Sequence, residues 1–191
     1  MSAAPSFAGL LEGFFTQRLM QQRCASAHTI ASYRDTFRLL LRFAHQHLCR
    51  APSQLALDDV DAPLVLAFLD AQEQVRSVGA RTRNLRLTAI HSFFRYAAFE
   101  SPEHSAQIQR VLAIPQKRFD RPLLGYLTRA EVEAVLNAPD RTTRSGRRDR
   151  AMFTLMYNTG ARVSEAIGLR CDDVHLGPAA FVRIRGKGRK E

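Results

Sequence analysis

The stretch that decides the fold is YNTGARVSEAIGL, residues 157–169. The apolar run that precedes it, at 151–156, is typical of a buried helix. Gly160 is placed to end that helix, because glycine readily takes the left-handed backbone conformation found at helix C-termini. Arg162 would then lie on a tight turn. Glu165 comes three residues later, and in a following helix its carboxylate would hold the Arg162 guanidinium in one orientation.

A second motif, RGKGRKE, occupies residues 185–191. Together the two motifs closely resemble the first half of the catalytic domain of the tyrosine recombinases, the phage integrase family. In that family a T-G-x-R-x-S-E box supplies the first catalytic arginine, and a lysine in a G-K-G hairpin follows at a similar separation; here Arg162 and Lys187 are 25 residues apart (187 − 162). The resemblance implies catalytic roles for Arg162 and Lys187. It also implies supporting roles for Glu165 and Lys190.

The charge balance favours a polyanionic partner. The 191 residues include 28 Lys and Arg against 18 Asp and Glu, for a formal net charge of +10. Such an excess favours nucleic acid, and the family resemblance implies double-stranded DNA. A basic protein that binds no nucleic acid is the alternative on charge alone. The apolar fraction of 46% is enough for a core in one or two domains.

The apolar spacing predicts a mainly α fold in two parts. By resemblance to the family, residues 5–99 form an all-α, SAM-like core-binding bundle that binds DNA. A helical extension and linker follow at 100–122, where prolines and basic residues replace periodicity. Residues 123–191 correspond to the N-terminal part of a mixed α/β catalytic domain.

Local signals predict several element boundaries. Helices are expected to start at Ser26 or His28, at Asp61, and at Thr128, where Glu131 completes a capping box. The helix after Thr128 would bury Val132, Val135 and Leu136. The polar, basic segment 141–150 is predicted to be a mobile loop. Alternating residues at 180–185 predict a strand, for which we identify no pairing partner.

Three arginines, Arg34, Arg38 and Arg42, recur at every fourth position of a predicted helix. This stripe fits either a run of phosphate contacts or a solvated face. The segment 81–96 resembles the signature that closes the family's core-binding domain, which implies phosphate contacts near its start, and the basic linker fits a path along the DNA backbone. The candidates in these two segments are Arg81, Arg83, Arg86, Lys117 and Arg118.

The chemistry that the resemblance implies is phosphoryl transfer through a 3′-phosphotyrosyl link, without metal or nucleotide cofactor. The family pattern continues through an H-x-x-R box to a nucleophilic tyrosine near the carboxyl end. No such box follows Lys187, and every tyrosine precedes it: Tyr33, Tyr96, Tyr126 and Tyr157. We therefore expect a truncated catalytic domain with no nucleophile and no DNA cleavage by this chain alone.

Other function classes stay open. The alternative to a recombinase is a non-catalytic DNA-binding protein that occupies recombination sites, alone or with full-length recombinase protomers. An all-helical transcription regulator is a third hypothesis, which the Arg162 box argues against.

The cysteines indicate neither a disulfide framework nor a metal site. Cys24, Cys49 and Cys171 are widely spaced and form no C-x-x-C pair, so they predict reduced packing residues in a cytoplasmic protein. The amino terminus does not resemble a signal peptide. No apolar run is long enough to cross a bilayer. We expect no metal and no membrane association.

Overall fold

The structure is a computed structural model that describes residues 6–120, 123 and 125–186. The chain divides between residues 121 and 122 into two compact units. The described residues are mainly helical, and the strands among them form one two-stranded sheet in the second unit. The predicted fold class, mainly α with a mixed second part, is confirmed.

The first unit is a bundle of helices. Two of the predicted starts are confirmed, since the Ser26 hydroxyl accepts the Thr29 N–H at 3.3 Å and the Asp61 carboxylate accepts the Leu64 N–H at 2.9 Å. Short 3₁₀ turns lie at Pro52–Gln54, Leu57–Asp59 and Pro102–His104. The longer elements are α1 (Phe7–Gly13), its π-helical continuation (Phe14–Gln22), α2 (Ala27–Leu48), α3 (Ala62–Arg76), α4 (Ala80–Glu100) and α5 (Ser105–Leu112).

Aromatic side chains hold this bundle together. Phe14, Phe37 and Phe93 are at most 2% exposed, and the Phe14 and Phe93 rings pack edge to face with centroids 5.6 Å apart. The largest share of the buried residues comes from α4. The first unit therefore has a continuous core around α4, which fixes the faces that α2 and α4 present to solvent.

The second unit begins with the predicted capping box, in which the Thr128 hydroxyl accepts the Glu131 N–H and the Glu131 carboxylate accepts the Thr128 N–H. The two strands pair antiparallel, with Val174 opposite Val182. The elements are α6 (Arg129–Asn137), α7 (Arg144–Thr159), α8 (Val163–Ile167), a 3₁₀ turn (Cys171–Asp173), β1 (Val174–His175) and β2 (Phe181–Val182).

Two predictions for this unit are wrong. The basic segment 141–150 is not a loop throughout, because the Thr143 hydroxyl accepts the Gly146 N–H at 3.0 Å and starts α7 at Arg144. The strand predicted over 180–185 is reduced to Phe181–Val182, and it does have a partner in β1. The pairing was missed because β1 follows a turn-rich segment and is only two residues long.

The core of the second unit is thin. The predicted burial of α6 is wrong, since Val132 and Leu136 are half-buried and Val135 is 50% exposed. The apolar run at 151–156 in α7 is likewise not fully buried. Among the described residues of this unit, the buried hydrophobic side chains are those of Ala161 and Ala166. Packing alone therefore stabilises this unit much less than the first.

The cysteines are not packing residues, because Cys24, Cys49 and Cys171 are all exposed. Cys24 and Cys49 take positive φ, 44° and 53°; Cys49 directly follows α2, and Cys24 lies two residues after Gln22. Their reading as core residues is therefore wrong. Within the described part of the chain, no helix combines the length and the apolar character that a bilayer crossing needs.

Candidate functional site

The turn between α7 and α8 presents Arg162. Helix α7 ends at Thr159, and Gly160 follows with φ 68°, a left-handed conformation that glycine adopts without strain. The Thr159 hydroxyl donates to the Leu155 carbonyl at 2.7 Å and accepts the Ala161 N–H at 3.2 Å. Arg162 then takes the N-cap position of α8. The turn is thus held by its own hydrogen bonds, and Gly160 ends α7 as the sequence predicted.

Glu165 holds Arg162 by two hydrogen bonds. Its carboxylate accepts the Arg162 backbone N–H at 2.8 Å and the Arg162 Nη1 at 2.9 Å. The backbone bond, more than the guanidinium, lowers the pKa of the Glu165 carboxyl below its ordinary value, so it stays ionised. The Glu165 side chain is 11% exposed and that of Arg162 is 72% exposed. The guanidinium is therefore oriented from one side and keeps its other donors for an anion in solvent.

The hairpin after α8 is fastened by Asp173. This residue is 6% exposed, and its carboxylate accepts the Arg170 N–H at 2.9 Å and lies 3.6 Å from the Arg185 guanidinium. The Asp173 carbonyl accepts the Arg183 N–H at 2.8 Å. These contacts hold the chain as far as Arg185. The predicted catalytic Lys187 and supporting Lys190 lie outside the described residues, so their roles stay predictions.

The stripe predicted on α2 is exposed. Arg34, Arg38 and Arg42 all reach solvent, while Phe37 and Leu40 on the opposite side are buried in the core. Arg38 lies 3.5 Å from Asp35, with both side chains more than half exposed, a pair that contributes little to stability. The stripe is accessible to phosphates, and their binding to it stays a prediction.

On α4, Arg81 is exposed and Arg86 is half-buried. Arg86 donates to the Gln72 side-chain oxygen at 2.8 Å. Burial, and after it the charge of Arg76, lowers the pKa of Arg86. Arg42 and Arg76 line a groove of about 370 Å³, and Gln72, which accepts from Arg86, lies on its wall. Sequence reasoning missed Arg76, although a basic residue in the last turn of α3 was a usable signal.

Arg83, which the sequence predicted as a phosphate contact, is buried. It is 3% exposed, and its Nε lies 3.6 Å from the Glu73 carboxylate inside the first unit. A guanidinium in this position has no surface to offer a phosphate, so we assign it a structural role. Sequence reasoning placed it in the DNA-binding set because the register of α4 against α3 is not visible in the pattern.

The linker segment is fastened to α4. The Asn84 amide donates to the Lys117 carbonyl at 2.7 Å and accepts the Lys117 N–H at 3.0 Å. The Lys117 ammonium donates to Glu73 at 2.6 Å and is 48% exposed, and Arg118 is exposed. Both basic side chains therefore keep solvent-facing surface on an ordered path.

The tyrosines differ in their surroundings. Tyr96 packs in the core and Tyr33 is half-buried, whereas Tyr126 is 99% exposed and Tyr157 is 58% exposed. Tyr126 and Tyr157 are therefore not packed in a core. Over residues 6–120, 123 and 125–186, no three His, Cys, Asp or Glu side chains are grouped as a metal site.

Comparison with known proteins gives the family. The model of the phage integrase family matches residues 125–191, and that of the phage integrase N-terminal SAM-like domain matches residues 13–101. The chain is 62% identical over its whole length to "Putative integrase/recombinase y4rC" of Sinorhizobium fredii and spans 58% of that protein. It is 45% identical to "Putative integrase/recombinase y4rD" of the same organism, again over its whole length, and spans 68% of it.

More distant relatives agree. Over 91% of the chain, identity to "Tyrosine recombinase XerC" of Rhodospirillum centenum is 38%, and the match spans 50% of that protein. The chain is also similar to a crystal structure of XerH site-specific recombinase, a post-cleavage complex bound to palindromic difH substrate. The match covers 90% of this chain and 49% of the XerH chain, with a TM-score of 0.62 and 20% sequence identity. This similarity shows the fold. The chain belongs to the phage integrase family, the tyrosine recombinases.

Proposed function

We propose that this chain forms part of a site-specific DNA recombinase or integrase and that Arg162 stabilises its transition state. The observation that carries the proposal is the guanidinium held by Glu165 at 2.9 Å while its side chain remains 72% exposed. The 62% identity to an integrase/recombinase relative over the whole chain supports it.

The proposed chemistry is attack of a tyrosine hydroxyl on a DNA phosphodiester. The phosphorus forms a bond to the tyrosine oxygen and loses its bond to the 5′-oxygen, which leaves a 3′-phosphotyrosyl link. A 5′-hydroxyl of the partner strand reverses the step, so the energy of the ester bond is conserved and no nucleotide is consumed. Negative charge grows on the non-bridging oxygens. A planar cation oriented beforehand, such as Arg162, stabilises that charge more than it stabilises the ground state.

The leaving 5′-oxygen needs a proton. We assign its delivery to Lys187, because an ammonium on a hairpin tip is a mobile proton donor. Lys190 is the supporting candidate for the same step or for a phosphate contact. The contacts of Asp173 with Arg170, Arg183 and Arg185 support this assignment, since they order the chain that leads to the lysine.

The proposed partner is double-stranded DNA. Basic side chains of the first unit would contact backbone phosphates and position the protein on DNA without reading its sequence. They are the exposed Arg34, Arg38, Arg42, Arg81 and Arg118 and the half-exposed Arg86 and Lys117. The neighbouring XerH structure holds a DNA substrate, which supports this partner. Residues 5–99 would act as the core-binding domain, 100–122 as the linker and 123–191 as part of the catalytic domain.

We further propose that a polypeptide of these 191 residues binds DNA but does not cleave it. Within these 191 residues the tyrosines Tyr33, Tyr96, Tyr126 and Tyr157 all precede Lys187, whereas the family pattern has its nucleophilic tyrosine after the lysine. Full-length recombinase protomers on the same DNA are its proposed partners. The alternative is a DNA-binding protein without enzymatic activity.

The test uses two proteins, the 191-residue polypeptide and the product of the complete reading frame. Each is incubated with nicked duplexes pooled from the DNA that flanks the coding sequence. We expect salt-sensitive mobility shifts from both and a covalent protein–DNA adduct from the complete product alone. DNA binding by both without any adduct would favour the non-catalytic alternative, and no binding would contradict the proposal.

A further inference from the structure

A basic pocket lies where α6 passes into α7, apart from the residues already assigned. The concavity has a volume of about 640 Å³. We call it the α6–α7 pocket. The residues that line it are Arg141, Thr142, Arg147, Arg150, Ala151 and Thr154.

The walls of the α6–α7 pocket are fixed by hydrogen bonds. The Thr142 N–H and hydroxyl both donate to the Asp140 carboxylate, at 2.9 and 2.7 Å. Arg147 donates to the Thr142 carbonyl at 3.1 Å and Arg150 to the Leu136 carbonyl at 2.8 Å. These bonds use backbone carbonyls as acceptors, so they orient the two guanidiniums without neutralising them.

A close backbone contact sets the entry to α7. A Cβ built on Gly146 would lie 1.9 Å from the Asp140 carbonyl oxygen, so only glycine lets the first turn of α7 approach the end of the preceding segment. The pocket is therefore a built feature of the second unit and not a chance gap between mobile side chains.

The charge inside the pocket is unbalanced. Among the described residues, no carboxylate forms an ion pair with Arg141, Arg147 or Arg150. Of the two nearby acids, Asp149 pairs with Arg148 at 2.7 Å, and the Asp140 carboxylate accepts from Thr142 on the pocket wall without an ion pair to the three arginines. Three guanidiniums that line one pocket without ion-pair partners repel one another, and a bound polyanion reduces that repulsion.

We propose that the α6–α7 pocket binds a phosphate of the duplex DNA backbone, a contact separate from the reacting phosphate at Arg162. The proposal rests on the proposed function, because it takes DNA as the partner. Guanidinium groups match phosphate oxygens in geometry as well as charge, and the Thr154 hydroxyl on the pocket wall adds a further donor.

The test compares neighbouring arginines in the 191-residue protein by measuring binding to random-sequence duplex DNA across a salt titration. Arg141→Gln removes a pocket cation whose side chain forms no hydrogen bond or ion pair with the described residues, so the variant should keep its fold. The matched control is Arg148→Gln, which removes the same charge from an exposed side chain paired with Asp149 outside the pocket. Arg141→Lys is the conservative variant.

We expect Arg141→Gln to reduce the slope of log K against log salt by about 0.9 and to weaken binding roughly eightfold at 0.1 M salt. Arg141→Lys should keep the slope, and Arg148→Gln should change it by less than half as much. If wild-type protein binds DNA and Arg141→Gln behaves as Arg148→Gln does, the pocket assignment is overturned while the proposed function stands. If wild-type protein does not bind DNA, both fall.

Discussion

The contact between Glu73 and Arg83 offers a sharp test of the packing of the first unit. The Arg83 side chain is 4% exposed, its Nε lies 3.6 Å from the Glu73 carboxylate, and that carboxylate also accepts from the Lys117 ammonium at 2.6 Å. Glu73→Gln keeps the shape of the side chain and removes its charge. Arg83 would then remain a cation inside the unit with no carboxylate beside it.

The expected loss follows from this geometry. Removing one partner of a fully buried ion pair costs about 3–5 kcal/mol. Glu73 is 22% exposed and the Arg83 Nε has no hydrogen bond of good geometry, so the loss should fall at or below the lower limit of that range. We expect Glu73→Gln to lower the free energy of unfolding by about 2–3 kcal/mol. The matched control is Asp35→Asn, whose partner Arg38 is exposed, with an expected loss below about 1 kcal/mol.

The assay is urea unfolding of the 191-residue protein followed by circular dichroism. With a slope of about 2 kcal/mol per molar urea, the Glu73→Gln midpoint should fall by roughly 1 M or more. Arg83→Gln should also destabilise the protein and leave the salt slope of DNA binding unchanged. A Glu73→Gln midpoint equal to that of Asp35→Asn, with a reduced salt slope in Arg83→Gln, would refute the structural role of Arg83.

Three further predictions concern other parts of the chain. Gly160→Ala forces a side chain into φ 68° and should cost about 1–2 kcal/mol, measured by thermal unfolding; no loss would contradict the turn. Burial, more than the Arg95 charge, lowers the pKa of His91, so unfolding free energy should fall as pH drops below about 6.5, and His91→Gln should flatten that decline. Limited proteolysis should leave a stable fragment that ends before residue 122, whereas a stable fragment beginning after it would contradict the thin core.

The first unit could be predicted well because its signals are local. The side chains of Ser26 and Asp61 cap the helices that start next to them, so these starts can be predicted from single residues. The stripe of arginines on α2 follows from helical spacing alone. The Arg162 turn was equally readable. Gly160 supplies the left-handed residue, and Glu165 is close enough in sequence to reach Arg162 in any helix that starts there.

The errors arise where the outcome depends on distant partners. Arg83 is buried beside Glu73 on α3, and the proximity of Arg76 to Arg86 depends on how α3 packs on α4. The burial predicted for the second unit is wrong for a different reason. Its helices carry apolar residues at helical spacing, which predicts a core. Periodicity, however, shows only which face of a helix is apolar and not whether another element covers that face.

The central claim is that Arg162 stabilises the transition state of DNA strand cleavage. Its most direct test compares the rates at which the wild-type complete protein and its Arg162→Gln variant form a covalent adduct on a nicked duplex. For Arg162→Gln we predict a rate of adduct formation lowered by about 10²–10³-fold, with DNA affinity at 0.1 M salt changed by less than the roughly eightfold expected for one phosphate contact, because the guanidinium acts on charge that appears in the transition state. Adduct formation by Arg162→Gln at the wild-type rate would contradict the account.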